Sequence, residues 1–228
     1  YNVAGHLSFG APKCEKAQKS SGFWANRTYR LCIKDNVLID PACGSGNFLT
    51  ETYISIRRLE NEVIRLLFDS DKKQVDGQLV MGNAINPIKV SINQFYGIEI
   101  NDFAVTVART ALWIAESQMM KETEDIIYTQ LEFLPLTTQA NIIEGNALKI
   151  DWENIISKNK LSYIMGNPPF NGARWMSQKQ KNDVIEIFGK EWKGVGDLDY
   201  VCCWYKKAVE YINTTNIKTA FVSTNSIS

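Results

Sequence analysis

Apolar and polar positions along this chain follow two alternating rhythms. Short apolar-rich runs occupy residues 36–40, 95–100, 141–144, 161–165 and 218–223. Each is too brief for a helix, and most end at a glycine, asparagine or proline, as buried strands do. Stretches of helical period separate them. Over 47–67, Phe48, Leu49, Tyr53, Ile56, Leu59, Val63, Leu66 and Leu67 recur at the spacing of one helix face. A second helix is predicted over 103–116, with Asn101 or Asp102 placed to cap it. Tyr200, Val201, Trp204, Tyr205, Ala208, Val209 and Ile212 form a third stripe, read as core packing. Residues 69–78 are polar and hold Gly77, so they read as a loop; 117–139 read as a mixed connection. Residues 171–196 read as a polar loop carrying one short helix, and 1–35 as a lead-in without clean periodicity. Alternating strands and helices predict an α/β fold with a doubly wound, mostly parallel sheet. Ligands of such sheets gather beyond the carboxyl ends of the strands.

Composition narrows the chemistry. With 228 residues and 45% hydrophobic content, the chain can bury one sizeable core. Lys+Arg and Asp+Glu are both 25, so no global field draws it to nucleic acid or membrane. That balance disfavours a free-standing DNA-binding protein, whose binding face is usually basic. Cys14, Cys32, Cys43, Cys202 and Cys203 show no C-x-x-C spacing, which argues against zinc and a disulfide framework and fits a reducing cytoplasm. His6 is the only histidine, which speaks against Ser-His-Asp chemistry and histidine-rich metal sites; no metal is expected. No apolar run reaches membrane-spanning length and no signal peptide is visible, so no membrane partner is expected. Tyr1 stands where an initiator Met would, so residue 1 is not read as a natural start.

Two loops carry the candidate chemistry. Asp40-Pro41-Ala42-Cys43-Gly44-Ser45-Gly46 follows the first strand. Gly44 and Gly46 allow a sharp turn and close approach of a ligand, and a helix begins just after them. A dinucleotide fingerprint would want a third glycine near Leu49, and Asp40 suits an ammonium group better than a pyrophosphate. Glu99 ends the second strand, where a carboxylate can accept bonds from ribose hydroxyls, though it lies much further on than the ~20 residues of the simple motif. Asn146-Ala147 follows the third strand and could read the edge of a base. The plainer alternatives are a simple turn at the glycines, a surface carboxylate at Glu99 and an Asx turn at Asn146. Cys43 has no base beside it in sequence and reads as a small loop residue rather than a nucleophile.

The second loop is Asn167-Pro168-Pro169-Phe170, directly after the fourth strand. The amino nitrogen of adenine or cytosine is a weak nucleophile because its lone pair is delocalised into the ring. Two acceptors, the Asn167 side-chain oxygen and the Pro168 carbonyl, could hold both of its N–H groups and expose that lone pair. Two prolines pre-aim the acceptors, and Phe170 offers a flat face for a base taken out of a helix. A Pro-Pro pair could also merely end a strand. Basic residues outnumber acidic ones over 171–196, where Arg174, Lys179, Lys181, Lys190 and Lys193 could touch phosphates or simply be solvated.

With these residues in place, the chain resembles the amino-methylating DNA methyltransferases that use S-adenosylmethionine, with the loop order of their gamma class. Closer similarity is to the MmeI-type group, in which methyltransferase and restriction nuclease share one polypeptide. Supporting segments are Ser177–Asp183, Gly196–Val201 and Ala220–Ile227. The resemblance implies a Rossmann-like methyltransferase fold, S-adenosylmethionine as cofactor, and transfer to N6 of an adenine flipped out of double-stranded DNA. It implies that Asp40 meets the methionine amino end, Pro41, Ala42, Cys43, Gly44 and Gly46 line the cofactor, and Glu99 binds the ribose. Ile100 would pack on the cofactor adenine, with Asn146 and Ala147 at its amino edge. Asn167, Pro168, Pro169 and Phe170 would be catalytic. Residues 36–228 would form the catalytic core, truncated before its last strands, with the target recognition domain expected after Ser228. The cofactor-capping motif expected upstream is not legible in 1–35, and Glu191-Trp192-Lys193 is a poor nuclease signature. A protein-glutamine methyltransferase and a non-catalytic module binding S-adenosylmethionine or DNA are the alternatives.

Overall fold

The computed structural model describes residues 35–74, 87–131 and 140–224. The chain divides into two compact units. The larger comprises Asn36–Ser55, Ser91–Met119 and the described part of Phe133–Ser228, and it carries the sheet. Its strands are β1 (Leu38–Asp40), β2 (Phe95–Glu99), β3 (Asn141–Glu144), β4 (Tyr163–Gly166) and β5 (Lys218–Phe221). They lie in the order β3-β2-β1-β4-β5, and every neighbouring pair is parallel. The helices are α1 (Asn47–Gln74), α2 (Asp102–Ile127), α3 (Gln178–Phe188) and α4 (Cys202–Ile212). This is the parallel α/β arrangement that the sequence pattern predicts. From β1 the chain steps outward to β2 and β3, then returns across β1 to β4 and β5. The connections after β1 and β4 therefore leave in opposite directions, which opens a crevice at their carboxyl ends.

Both faces of the sheet are covered, which is why its strands read as short continuous apolar runs. On one face Tyr53 of α1 meets Phe95 edge-on at 5.4 Å between ring centroids. Thr52 of α1 there bonds the Phe48 carbonyl at 2.7 Å and lies 3.7 Å from the Met165 sulfur. On the other face Ile39, Ile98 and Ile164 join Trp152, Cys203, Trp204, Ala208 and Tyr211 in one core. Each of the larger side chains contributes about 1.5–3 kcal/mol by leaving water.

Two helix boundaries differ from the pattern. α1 ends at Gln74 rather than near residue 67, and α2 at Ile127 rather than 116. Residues 117–127 have weak apolar periodicity but are rich in Glu, Lys, Gln and Met, which favour helix, and Met119 and Thr123 are buried. α2 starts as expected, with Asn101 Oδ1 accepting the Ala104 N–H at 3.0 Å. α3 fills much of the polar stretch after β4, started by a capping box between Ser177 and Gln180. Val209 of α4, counted in the buried stripe, is exposed, while Tyr211 is buried in its place.

The smaller unit comprises the described parts of Tyr1–Asp35, Ile56–Val90 and Met120–Glu132. Here the predicted stripe of α1 does not hold. Leu59 and Leu66 are 40% and 49% exposed, whereas Arg57 and Glu60 are wholly buried. The charges go inward because each finds partners. Arg57 pairs with Glu60 and donates to Thr123 Oγ1 at 2.8 Å. Thr123 in turn donates to Asn61 Oδ1 at 2.7 Å. Glu60 also accepts the backbone N–H groups of Lys89 at 2.7 Å and Val90 at 3.3 Å.

Candidate active site

Asp40 closes β1 with its side chain 1% exposed. Its Oδ1 accepts the Ala42 N–H at 2.9 Å. Against it lies Gly166, the last residue of β4, where an added Cβ would sit 2.3 Å from Oδ1. Glycine is thus required for the carboxylate to cross the end of β4 directly before Asn167. Burial raises the Asp40 pKa to about 7; the Ala42 bond pulls it down and the nearby Glu99 charge pushes it up. A carboxyl group so placed gains strongly from an arriving cation.

Gly44 (φ 53°) and Gly46 (φ 84°) occupy the left-handed region, so the turn after β1 depends on both. A Cβ on Gly46 would press 2.9 Å from that of Ala108 in α2, whereas one on Gly44 would point into open space. Most of the loop's amides are committed internally. Cys43 N–H donates to Ile98 O at 3.1 Å and Gly46 N–H to Cys43 O at 2.8 Å. Gly44 N–H donates to Glu99 Oε2 at 2.9 Å. These bonds fix the turn from within and leave fewer amides for an anion, in keeping with an amino-bearing ligand.

Glu99 is a junction as well as a candidate ligand. Its Oε1 accepts the Asn101 N–H at 3.0 Å, and its backbone carbonyl accepts the Gly145 N–H at 2.8 Å. Each carboxylate oxygen keeps a second acceptor position, which hydroxyl groups can use. After β2, Ile100 and Phe103 are 58% and 75% exposed. After β3, Asn146 Oδ1 accepts the Leu148 N–H at 2.9 Å, so the plainer Asx turn does form there. Ala147 is buried, and its carbonyl accepts the Trp152 indole N–H at 2.9 Å.

After β4 the four residues of the ledge differ in environment. Pro168 is buried, whereas Asn167, Pro169 and Phe170 are exposed. Among the described residues nothing bonds the Asn167 side chain or the Pro168 carbonyl, so both acceptors are open. The chain beyond them is pinned. Asn171 N–H donates to Asp199 Oδ1 at 3.0 Å, and Tyr200 N–H donates to Asn171 O at 3.1 Å. The Asn171 amide group donates to Trp175 O at 3.3 Å and Gln180 Oε1 at 3.1 Å. This turn holds out Trp175, 83% exposed. Asp183, counted with the acids of this stretch, is buried and accepts the Tyr200 hydroxyl at 2.9 Å.

The structure therefore brings Asp40, Cys43, Gly44, Gly46 and Glu99 into one bonded group, with Asn167 next along the chain from its Gly166 wall. Sequence reasoning missed Gly97 and Gly166, whose importance depends on strand pairing: a Cβ on Gly97 would lie 2.8 Å from Cys43 Sγ. It also missed the bond from the Trp204 indole to Pro41 O at 3.0 Å, because an apolar stripe gives no sign of it. Among the described residues no helix is long and apolar enough to cross a membrane.

Residues 15–228 match the family described as MmeI, DNA-methyltransferase domain. The chain belongs to this family. DNA methyltransferase A of Bacillus subtilis (strain 168) is 40% identical over 191 residues, spanning 82% of this chain and 20% of that protein. A solved relative is the Type IIL restriction-modification enzyme MmeI in complex with DNA, with 38% identity and a TM-score of 0.79. That match covers 89% of this chain and 26% of MmeI. The MmeI-like domain here thus spans about a fifth to a quarter of these relatives' length, and it shares their Rossmann-like fold.

Proposed function

We propose that this domain transfers a methyl group from S-adenosylmethionine to N6 of an adenine flipped out of double-stranded DNA, as the catalytic core of a cytoplasmic restriction-modification enzyme. Residues 36–228 form that core and 1–35 a lead-in; bases are read by a recognition domain elsewhere in the protein. The observation that carries the reading is the meeting of Asp40 and Gly166 at the switch point of the sheet. It sets a cation-seeking carboxyl group beside a shelf with two open acceptors. Family membership supports methyl transfer, and the relative solved in complex with DNA supports the substrate.

The residues fit the cofactor. Asp40 takes its ammonium, the open face of Gly44 admits it, Glu99 receives the ribose hydroxyls and Ile100 covers its base. Pro41, Ala42, Cys43 and Gly46 shape the turn around it, and Asn146 and Ala147 stand at its amino edge. S-adenosylmethionine supplies an activated methyl group on a sulfonium sulfur. Asn167 Oδ1 and the Pro168 carbonyl hold the two N–H groups of the adenine amine, and Pro169 keeps the shelf stiff. Phe170 stacks on the extruded ring. The amine nitrogen becomes acidic as it is alkylated and loses its proton to water, so no histidine is needed. Acceleration comes from positioning and pre-aimed acceptors.

The test uses the full-length protein, labelled S-adenosylmethionine and plasmid DNA, followed by identification of the modified nucleoside. N6-methyladenine is expected. Asn167→Ala should lower transfer by about a hundredfold or more while cofactor affinity stays within a few-fold. Loss of cofactor binding without a separate loss of transfer would remove Asn167 from its assigned role.

A further inference from the structure

The residues assigned above lie at four strand ends, and one short stretch of chain is bonded to the loops that follow three of them. Asp199, just before α4, accepts the Asn171 N–H that follows the ledge at 3.0 Å, and Tyr200 N–H returns a bond to Asn171 O at 3.1 Å. Trp204, on the first turn of α4, donates its indole N–H to Pro41 O in the turn after β1 at 3.0 Å. Lys207, one turn further, donates to Leu148 O at 3.0 Å and Ile150 O at 2.7 Å, just past Asn146-Ala147. None of these groups faces the crevice as a ligand would. Trp204 is 5% exposed and packs edge-on against Tyr200 at 5.3 Å. Lys207 lies over the Trp152 ring at 5.6 Å.

Packing alone does not require this pattern. Filling the core needs apolar bulk at 204 and an apolar stem at 207, and neither an indole N–H nor an ammonium is needed for that. Instead two polar tips satisfy carbonyls that belong to two separate loops, and a carboxylate fixes a third. Resting on the function proposed above, we infer that Asp199, Trp204 and Lys207 are positioning residues. Asp199 sets the ledge through Asn171, Trp204 sets the cofactor turn through Pro41, and Lys207 sets the loop at the cofactor's base edge through Leu148 and Ile150. A single rigid segment thereby fixes the distance between methyl donor and acceptor amine.

The inference predicts a split that a purely structural role would not produce. In the full-length protein, Trp204→Phe keeps the ring but loses the donor, and Lys207→Met keeps the stem but loses the ammonium. Each should raise the calorimetric Kd for S-adenosylmethionine by about 5- to 20-fold, the size expected of a buried carbonyl left without its donor. The single-turnover rate at saturating cofactor should fall by less. Asp199→Ala should do the reverse, lowering that rate by about tenfold or more with cofactor Kd unchanged. Asp199→Asn retains an acceptor for the Asn171 N–H and should restore the rate to within about threefold. If all four variants change Kd and rate together, in proportion to lost thermal stability, the inference is overturned. It is also overturned if they match the wild type. A wild-type protein that neither binds S-adenosylmethionine nor methylates DNA overturns the functional reading, and this inference with it.

Discussion

Among the buried carboxylates of the described residues, Glu60 and Asp40 are buried on opposite terms. Glu60, in the smaller unit, is paired with Arg57 and accepts two backbone N–H groups. Asp40, in the larger unit, accepts one N–H and has another acid, Glu99, as its charged neighbour. Leaving a buried acid short of partners costs free energy, so the contrast separates structure from function. Glu60 is satisfied by the protein and completes a fold. On the function proposed above, Asp40 receives the ammonium of the cofactor, beside the open space at Gly44 and the ledge that follows Gly166.

The largest expected effect tests the satisfied side. Arg57→Met strands the Glu60 charge and should cost about 3–5 kcal/mol in urea unfolding. The sharpest test of the other side is pH. The ordinary carboxylate pKa of 3.8 is raised to about 7 in folded Asp40. Between those values the folded chain holds a proton that the unfolded chain has released. Stability should therefore fall as pH rises through this window, by on the order of 4 kcal/mol in the ligand-free protein. Asp40→Asn should flatten this dependence and leave the protein more stable above pH 7. Cofactor affinity runs the opposite way: in the wild type it should climb with pH up to about 7, since the ammonium needs the carboxylate, and in Asp40→Asn it should stay weak throughout. Binding that ignores pH would break the comparison.

Gly166→Ala forces Asp40 aside and should cost about 1–3 kcal/mol, with a loss of cofactor affinity measurable by calorimetry. The smallest effect is the control for burial. Arg65 and Glu62 lie on the same helix at the same i,i+3 spacing as Arg57 and Glu60, but more than half exposed. Arg65→Met should change stability by no more than about 0.5 kcal/mol.

The same contrast explains what the sequence reveals. Strands and both loops are legible because buried parallel strands are short apolar runs punctuated by Gly and Pro, as at Asp40-Pro41 and Gly166-Asn167. The buried Arg57–Glu60 pair is not, because charges on a helix read as its solvent face until their partners at Lys89, Val90 and Thr123 are known. The second half of α2 is hidden for a related reason, since Lys121, Glu122 and Glu124 favour helix without marking an apolar face. Gly97 and Gly166 look like ordinary strand glycines; only the pairing of β1 with its neighbours reveals what each makes room for.

Cys43 lies within the turn assigned to a reagent that alkylates nucleophiles. Sulfur attacks as thiolate, and burial, reinforced by the negative charges of Asp40 and Glu99, pushes the Cys43 thiol far above its usual range. The surroundings that prime the carboxyl group for a cation thus keep the thiol protonated and inert. On the function proposed above, the enzyme is thereby spared from methylating its own cysteine.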